Sequence, residues 1–274
     1  MITQTEKARA GGGIKLGILT AAWGRSRLTG HVLRYYADLR IEGVTLVRVA
    51  VWSHDDPDPP PYVVGWEYVA EENEPLGRKW NAGVRALVDR YDVDAVMIVG
   101  SDDLVSATFF DRVREQLRRG AHVISVHDLY IYSPPEHYVH YCESMVPGAG
   151  RVLSRAVLAA MKSRPWDDDA PMYLDSSITA RLRQVPNLRR YNAKDMSGLG
   201  FAVVDVKIPG GPSLWSFVVD SESGRAYIEN ASGSKLYIRR VTELPAKRFF
   251  ADHFPQIPNF FVLGLATDPY AIPE

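Results

Sequence analysis

At 274 residues, with 46% hydrophobic and 24% charged residues, the chain has the composition of a globular protein with a substantial core, which excludes wholesale disorder. Thirty-two basic against thirty-three acidic residues leave a formal net charge of −1, so no global field recruits a polyanion and only a local basic patch would. The single cysteine, Cys142, excludes an intrachain disulfide framework and fits a reducing compartment. Residues 1–10 are polar with no apolar stretch after them, and no run approaches the roughly 18 apolar residues of a membrane span. Neither a secretory leader nor a span is expected, and a cytoplasmic setting is.

In chain order, residues 14–20 read as a first strand that ends at the turn Ala21-Ala22-Trp23-Gly24-Arg25, with a helix over 29–39 behind it. Residues 44–51, rich in β-branched side chains, make a second strand ending at Trp52-Ser53-His54-Asp55-Asp56. The proline cluster 57–61 forbids helix and central strand, 67–70 suits a short strand, and apolar spacing of three to four predicts a helix over 75–90. The run 95–99 suits a strand buried on both faces, and it stops at Gly100-Ser101-Asp102-Asp103. A helix over 109–119 and a strand over 121–126 follow. This alternation predicts a doubly wound, mostly parallel α/β sheet with right-handed crossovers.

Beyond it lie an aromatic segment (Tyr130, Tyr132, His137, Tyr138, His140, Tyr141), a glycine turn Pro147-Gly148-Ala149-Gly150, and an apolar helix over 151–161. The aromatics suit either a platform for a sugar ring or base, or ordinary packing at a domain edge. From residue 198 the pattern changes to short strands at 201–208, 215–219, 226–228 and 236–239 between Gly, Pro, Ser and Asn turns. The expected organisation is a flexible 1–13, an α/β domain over 14–197 and a small β-rich C-terminal extension over 198–274, whose tail lies against the body.

In open α/β sheets the carboxyl edge is where ligands bind, and adjacent acids such as Asp102 and Asp103 there suit a divalent cation against phosphate oxygens. A solvated turn, with Asp103 capping the next helix, accounts for the same residues. Asp175 reads as a helix N-cap, and the successive acids Asp167, Asp168 and Asp169 as a solvated turn. Arg181, Arg183, Arg189 and Arg190 supply a local basic patch.

Four features in register, the turn after Thr20, the acid-bearing loop after Trp52, the segment Pro75-Leu76-Gly77-Arg78-Lys79-Trp80-Asn81-Ala82-Gly83, and Gly100-Ser101-Asp102-Asp103, resemble the GT-A nucleotide-sugar glycosyltransferases. The likeness covers 14–182 and is closest to the family-two type and its phage-like branch. It implies a GT-A fold and transfer, by inversion, from a nucleoside-diphosphate sugar, UDP-linked by preference. The implied acceptor is a hydroxyl of a glycan or of a hydroxymethylated DNA base, in a bacterial cytoplasm or phage-infected cell. It implies Mn²⁺ or Mg²⁺ on Asp102, completed by Asp103 or by His253, donor contacts from Thr20, Ala22, Arg25, Trp52, Asp55, Lys79 and Ser101, and Asp175 as base, with Asp167, Asp168 and Asp169 as rivals. It also implies that a flap bearing Asp205, Lys207 and Trp215 approaches the cleft. The chain departs from the pattern at Gly100, where many relatives carry the first acid of Asp-x-Asp. A sugar-phosphate nucleotidyltransferase is the alternative enzyme, although residues 21–27 make a poor phosphate loop, and a non-catalytic nucleotide or glycan binder is the third reading.

Overall fold

The structure is a computed structural model that describes residues 13–134, 138–143, 147–172, 174–207, 215–220, 226–230, 233, 235–238 and 245–257. Expectations for 1–12, His137, Tyr173 and the tail 258–274 fall outside these residues.

The first half of the chain runs β1 (Ile14–Ala21), α1 (Ser26–Asp38), β2 (Val44–Trp52), β3 (Glu67–Ala70), α2 (Leu76–Tyr91), β4 (Ala95–Ile98), β5 (Asp103–Val105), α3 (Ala107–Arg118) and β6 (Val123–Val126). Then come β7 (Leu129–Tyr132), β8 (Val139–Cys142), β9 (Arg151–Ser154), α4 (Arg155–Ala160), α5 (Leu174–Arg183), β10 (Arg190–Ala193) and α6 (Met196–Leu199). The described elements end with β11 (Val203–Val206), β12 (Trp215–Val219), β13 (Ala226–Asn230), β14 (Lys235–Ile238) and α7 (Ala246–His253). Among the described residues no helix is long and apolar enough to cross a membrane.

Seven strands form the main sheet in the order β3-β2-β1-β4-β9-β6-β10. All neighbours pair in parallel except β9, which is antiparallel to both β4 and β6. Alternate residues of each strand feed two separate cores, as the period of two requires. Ile18, Met97 and Ile124 pack with Leu28, Val32 and Phe110 from α1 and α3. Leu19, Ile98 and Val123 pack with Val84, Leu87, Leu158 and Ile178 from α2, α4 and α5. Helices therefore cover both faces, and the sheet is doubly wound as expected.

The helix expected over 151–161 is split. Residues 151–154 form β9, wedged between β4 and β6, and only then does α4 begin, with Ser154 Oγ accepting a hydrogen bond from Val157 N–H. A short apolar run fits strand and helix equally by periodicity, and the open slot between two parallel strands decides it.

A second sheet, ordered β5-β11-β7-β8, sits at the carboxyl edge of the first. β11 pairs antiparallel with β5 and parallel with β7, so the segment after residue 198 opens with a strand seated between two earlier ones. The third sheet, β12-β13-β14, is an antiparallel meander. Phe254 is fully buried against Tyr35 and Phe250, which ties the start of the tail to the body.

Candidate functional site at the carboxyl edge of the sheet

The ends of β1, β2 and β4 are adjacent because Ala21 pairs with Val51 and Leu19 with Ile98. The chain leaves β4 through a tight turn in which Asp103 N–H donates to the Gly100 carbonyl at 3.2 Å and Gly100 N–H donates back to Asp103 Oδ2. A Cβ at position 100 would lie 2.7 Å from Asp102 Oδ1 and 2.8 Å from Asp103 Oδ2. A side chain at position 100 would therefore displace one or both carboxylates. The third acid arrives across the second sheet: Asp205 of β11 is the direct antiparallel partner of Asp103, and carboxylate oxygens of Asp102, Asp103 and Asp205 lie within 4.8 Å of one another. Asp103 thus opens a strand instead of capping a helix, and Ser106 occupies the cap position of α3.

Two cations face these acids. Arg25, from the turn after β1, is ion-paired with Asp102, and Lys207 Nζ lies 2.6 Å from Asp205 Oδ2. Burial pushes the Asp103 carboxyl well above the usual range, and the charges of Asp102 and Asp205 push it further. Burial also raises Asp205, against the pull of Lys207. At Asp102 burial acts upward too, but the charges of Arg25 and Lys207 and the Arg25 hydrogen bond outweigh it and hold the carboxyl low. The donor set is all hard carboxylate oxygen, and Asp205 Oδ1 is buried with no hydrogen-bond partner among the described residues. Both facts fit Mg²⁺ or Mn²⁺.

Further along the edge, Thr20 and Ser53 are buried with hydroxyls that have no partner among the described residues. Ala22 N–H donates to the Val51 carbonyl at 2.9 Å, and its own carbonyl accepts from Lys79 Nζ at 2.7 Å. Lys79 is 1% exposed, also donates to Asn73 Oδ1 at 3.0 Å and lies 5.6 Å over the Trp23 ring. Burial lowers its pKa to about 8, against the charges of Asp56 and Asp55. Lys79 is therefore an internal strut between α2 and the end of β1. Asp55 is exposed, whereas its neighbour Asp56 is buried. Asp56 Oδ1 accepts from Gly24 N–H at 2.9 Å and Asp58 N–H at 3.0 Å, leaving Oδ2 without a partner among the described residues. Asp55, expected as a donor contact, stays exposed to solvent, and the burial of Asp56 beside it is a tertiary fact that adjacent aspartates in a sequence do not reveal. Trp52 is half-buried and meets His54 edge-on at 4.8 Å, and Ser101 is buried in the turn.

On the other flank Asp175 lies in the first turn of α5, with its carboxylate exposed. Arg151, buried at the start of β9, donates to Asp175 Oδ1 at 3.2 Å and to the Pro147 carbonyl at 3.3 Å. A Cβ on Gly148 would meet Asp175 Oδ1 at 2.8 Å, so the glycine turn and the acid approach each other because the side chain is absent. Partial desolvation raises the Asp175 pKa, opposed by Arg151 and by the Gly148 N–H. Among its rivals, Asp168 is held by Asn81 at 2.8 Å and Arg164 at 3.0 Å, and Asp169 lies 3.8 Å from Arg78.

The aromatic segment is packing. Tyr130, Tyr132 and Tyr141 are buried, and the first two meet Phe249 and Phe250 of α7 at 4.7 and 5.0 Å. His253 ends α7 against the rings of Phe249 and Tyr130, at 4.8 and 6.5 Å. Tyr130 pairs with Val204 and Asp205 with Ile131, so strand alternation puts Tyr130, and His253 with it, on the opposite face from Asp205. His253 is not brought to the acid cluster. Asp205 and Lys207 are, as expected of the flap, while the Trp215 side chain falls outside the described residues. Among the four arginines, Arg190 donates to the Leu182 carbonyl at 3.1 Å, a bond internal to the fold.

No family model and no curated protein sequence matches this chain. Among solved structures, S. aureus TarS 1-349 in complex with UDP-GlcNAc aligns with a TM-score of 0.51 at 12% identity, over 72% of this chain and 60% of that one. A197 from STIV aligns at 0.42 and 9% identity, over 84% of this chain and 97% of that one. The 4-diphosphocytidyl-2C-methyl-D-erythritolsynthase from Anaerococcus prevotii aligns at 0.43 and 13%, over 66% and 86%. The likeness to TarS is one of fold, of GT-A type, and the chain spans about 60% of that structure's length.

Proposed function

We propose that this chain is a glycosyltransferase that moves a sugar from a nucleoside-diphosphate donor, UDP-linked by preference, to an acceptor hydroxyl with inversion. The observation that carries the reading is the meeting of Asp102, Asp103 and Asp205 at the carboxyl edge of a GT-A-type sheet, beside the loops that end β1 and β2. In this reading Asp102, Asp103 and Asp205 hold Mg²⁺ or Mn²⁺. When bound, the cation neutralises charge that grows on the departing diphosphate.

The chain's own residues do the rest. Thr20 Oγ1, Ser53 Oγ and Asp56 Oδ2, which have no partner among the described residues, face the nucleoside, Trp52 gives a stacking surface, and Lys79 acts through the Ala22 carbonyl that it holds. Lys207 stays with Asp205 as a fixed countercharge. Asp175 takes the proton from the acceptor hydroxyl. Its raised pKa strengthens it as a base, and Arg151 fixes its position. Gly148, by lacking a side chain, lets the Asp175 carboxylate lie against the glycine turn. The acceptor in this reading is a glycan or a hydroxymethylated DNA base, in the cytoplasm of a bacterium or of a phage-infected cell.

The test is a panel of nucleotide sugars titrated with and without Mn²⁺, followed by hydrolysis and transfer assays. Mn²⁺-dependent binding of a UDP-sugar and slow release of free sugar are expected. Pyrophosphate release from a nucleoside triphosphate and a sugar phosphate would replace this reading with nucleotidyl transfer. Tight binding without turnover would leave a nucleotide or glycan binder.

A further inference from the structure

The turn after β1 brings Arg25 to the acid cluster, and the arrangement there is already compensated. Asp102 is paired with Arg25, Asp205 with Lys207 at 2.6 Å, and Asp103 accepts from the Gly100 amide. A divalent cation arriving at Asp102 therefore meets a guanidinium on the same carboxylate, a like-charge contact that opposes its binding. The two basic residues are not held equally. Lys207 keeps 10% of its side chain exposed, lies one residue past the end of β11 and donates its own N–H to the Tyr132 carbonyl. Arg25 keeps 21% of its side chain exposed, sits in a turn at the mouth of the edge, and its Nε has no hydrogen-bond partner among the described residues. Arg25 is the more exposed of the two, and its planar fork matches phosphate oxygens.

We propose that Arg25 is a displaceable counter-ion. It neutralises Asp102 while no cation is bound, yields that carboxylate when a divalent cation binds, and then engages the diphosphate of a nucleoside diphosphate at the same edge. The inference rests on the reading of Asp102, Asp103 and Asp205 as the cation site. It makes cation and nucleotide binding mutually supportive through one side chain, beyond chelation of the metal by the diphosphate.

Calorimetric titration of Mn²⁺ into the wild-type chain, Arg25→Gln and Arg25→Lys tests it. Arg25→Gln is expected to bind Mn²⁺ about tenfold more tightly than wild type, in the usual range of coupling between sites. The same variant should bind UDP about tenfold more weakly at saturating Mn²⁺. Arg25→Lys, which keeps the charge, should lie nearer wild type in both. Mn²⁺ affinity in Arg25→Gln equal to or below that of wild type overturns the proposal. Should Arg25→Gln fail to fold, Mg²⁺ titration of the wild-type chain followed by arginine side-chain NMR decides. Movement of the Arg25 Nε–H signal is expected, and a signal that stays put while Mg²⁺ binds refutes the exchange. If neither wild type nor variants bind Mn²⁺, with or without UDP, the cation-site reading itself fails and the inference falls with it.

Discussion

At Asp175 an exposed carboxylate meets a buried arginine, and the two environments act oppositely on its proton affinity, with desolvation the stronger. Asp175→Asn should keep donor affinity and melting temperature while lowering kcat by roughly 10²- to 10⁴-fold, the usual worth of a positioned base. A cap role would leave kcat unmoved, since Asn caps about as well as Asp. Lys79 gives a second residue-scale expectation. Because its ammonium holds the Ala22 carbonyl and Asn73, Lys79→Met should weaken uridine and UDP alike. A loss confined to UDP, measured by calorimetry on both ligands, would restore it as a phosphate contact. Leaving the Ala22 carbonyl unpaired should also cost about 1–3 kcal/mol of stability. The Lys79 pKa falls from 10.5 to about 8 on folding, so between those values the unfolded chain binds more protons. Wild-type stability should therefore rise with pH across that window, and the rise should be absent in Lys79→Met when both are melted over the same range.

The turn between β4 and β5 and the pairing of β5 with β11 are the elements that build the site. Gly100→Ala would drive a methyl into the carboxylate oxygens of Asp102 and Asp103, at separations of 2.7 and 2.8 Å. We expect loss of Mn²⁺ binding and a stability cost of about 1–3 kcal/mol, typical of overpacking. Unchanged Mn²⁺ affinity in a calorimetric titration would show that the two acids can move aside without consequence. Strand pairing supplies Asp205 to the same cluster from about a hundred residues downstream.

For the whole molecule, β11 is the decisive strand, since it lies between β5 and β7 and contributes Val203, Val204 and Val206 to the larger core. A chain cut after residue 197 would uncover Leu104 and Tyr130, which are buried in the intact protein. It should show no cooperative thermal transition and should elute as aggregates on gel filtration. A compact, cooperatively melting fragment would instead mark residues 198–274 as separable from the α/β body.

Local pattern was enough for five of the seven main-sheet strands, β9 and β10 being the exceptions. Runs such as 44–51 and 95–99, and the helix expected over 75–90, carry their period in consecutive residues, and their boundaries differ from those observed by a residue or a few. Asp102 and Asp103 stood out as adjacent acids at the end of a buried run, whereas Asp175 and the glycine turn were singled out by the resemblance. What the sequence did not determine are facts of distance between remote segments. The strand character of Arg151–Ser154 comes from the slot between β4 and β6. The burial of Asp56 in place of Asp55, the commitment of Lys79 to Ala22, and the separation of His253 from the acids depend on packing that no local period encodes. The pairing of Arg25 with Asp102 joins residues 77 positions apart, and a side chain in a turn has no periodicity by which its partner can be read.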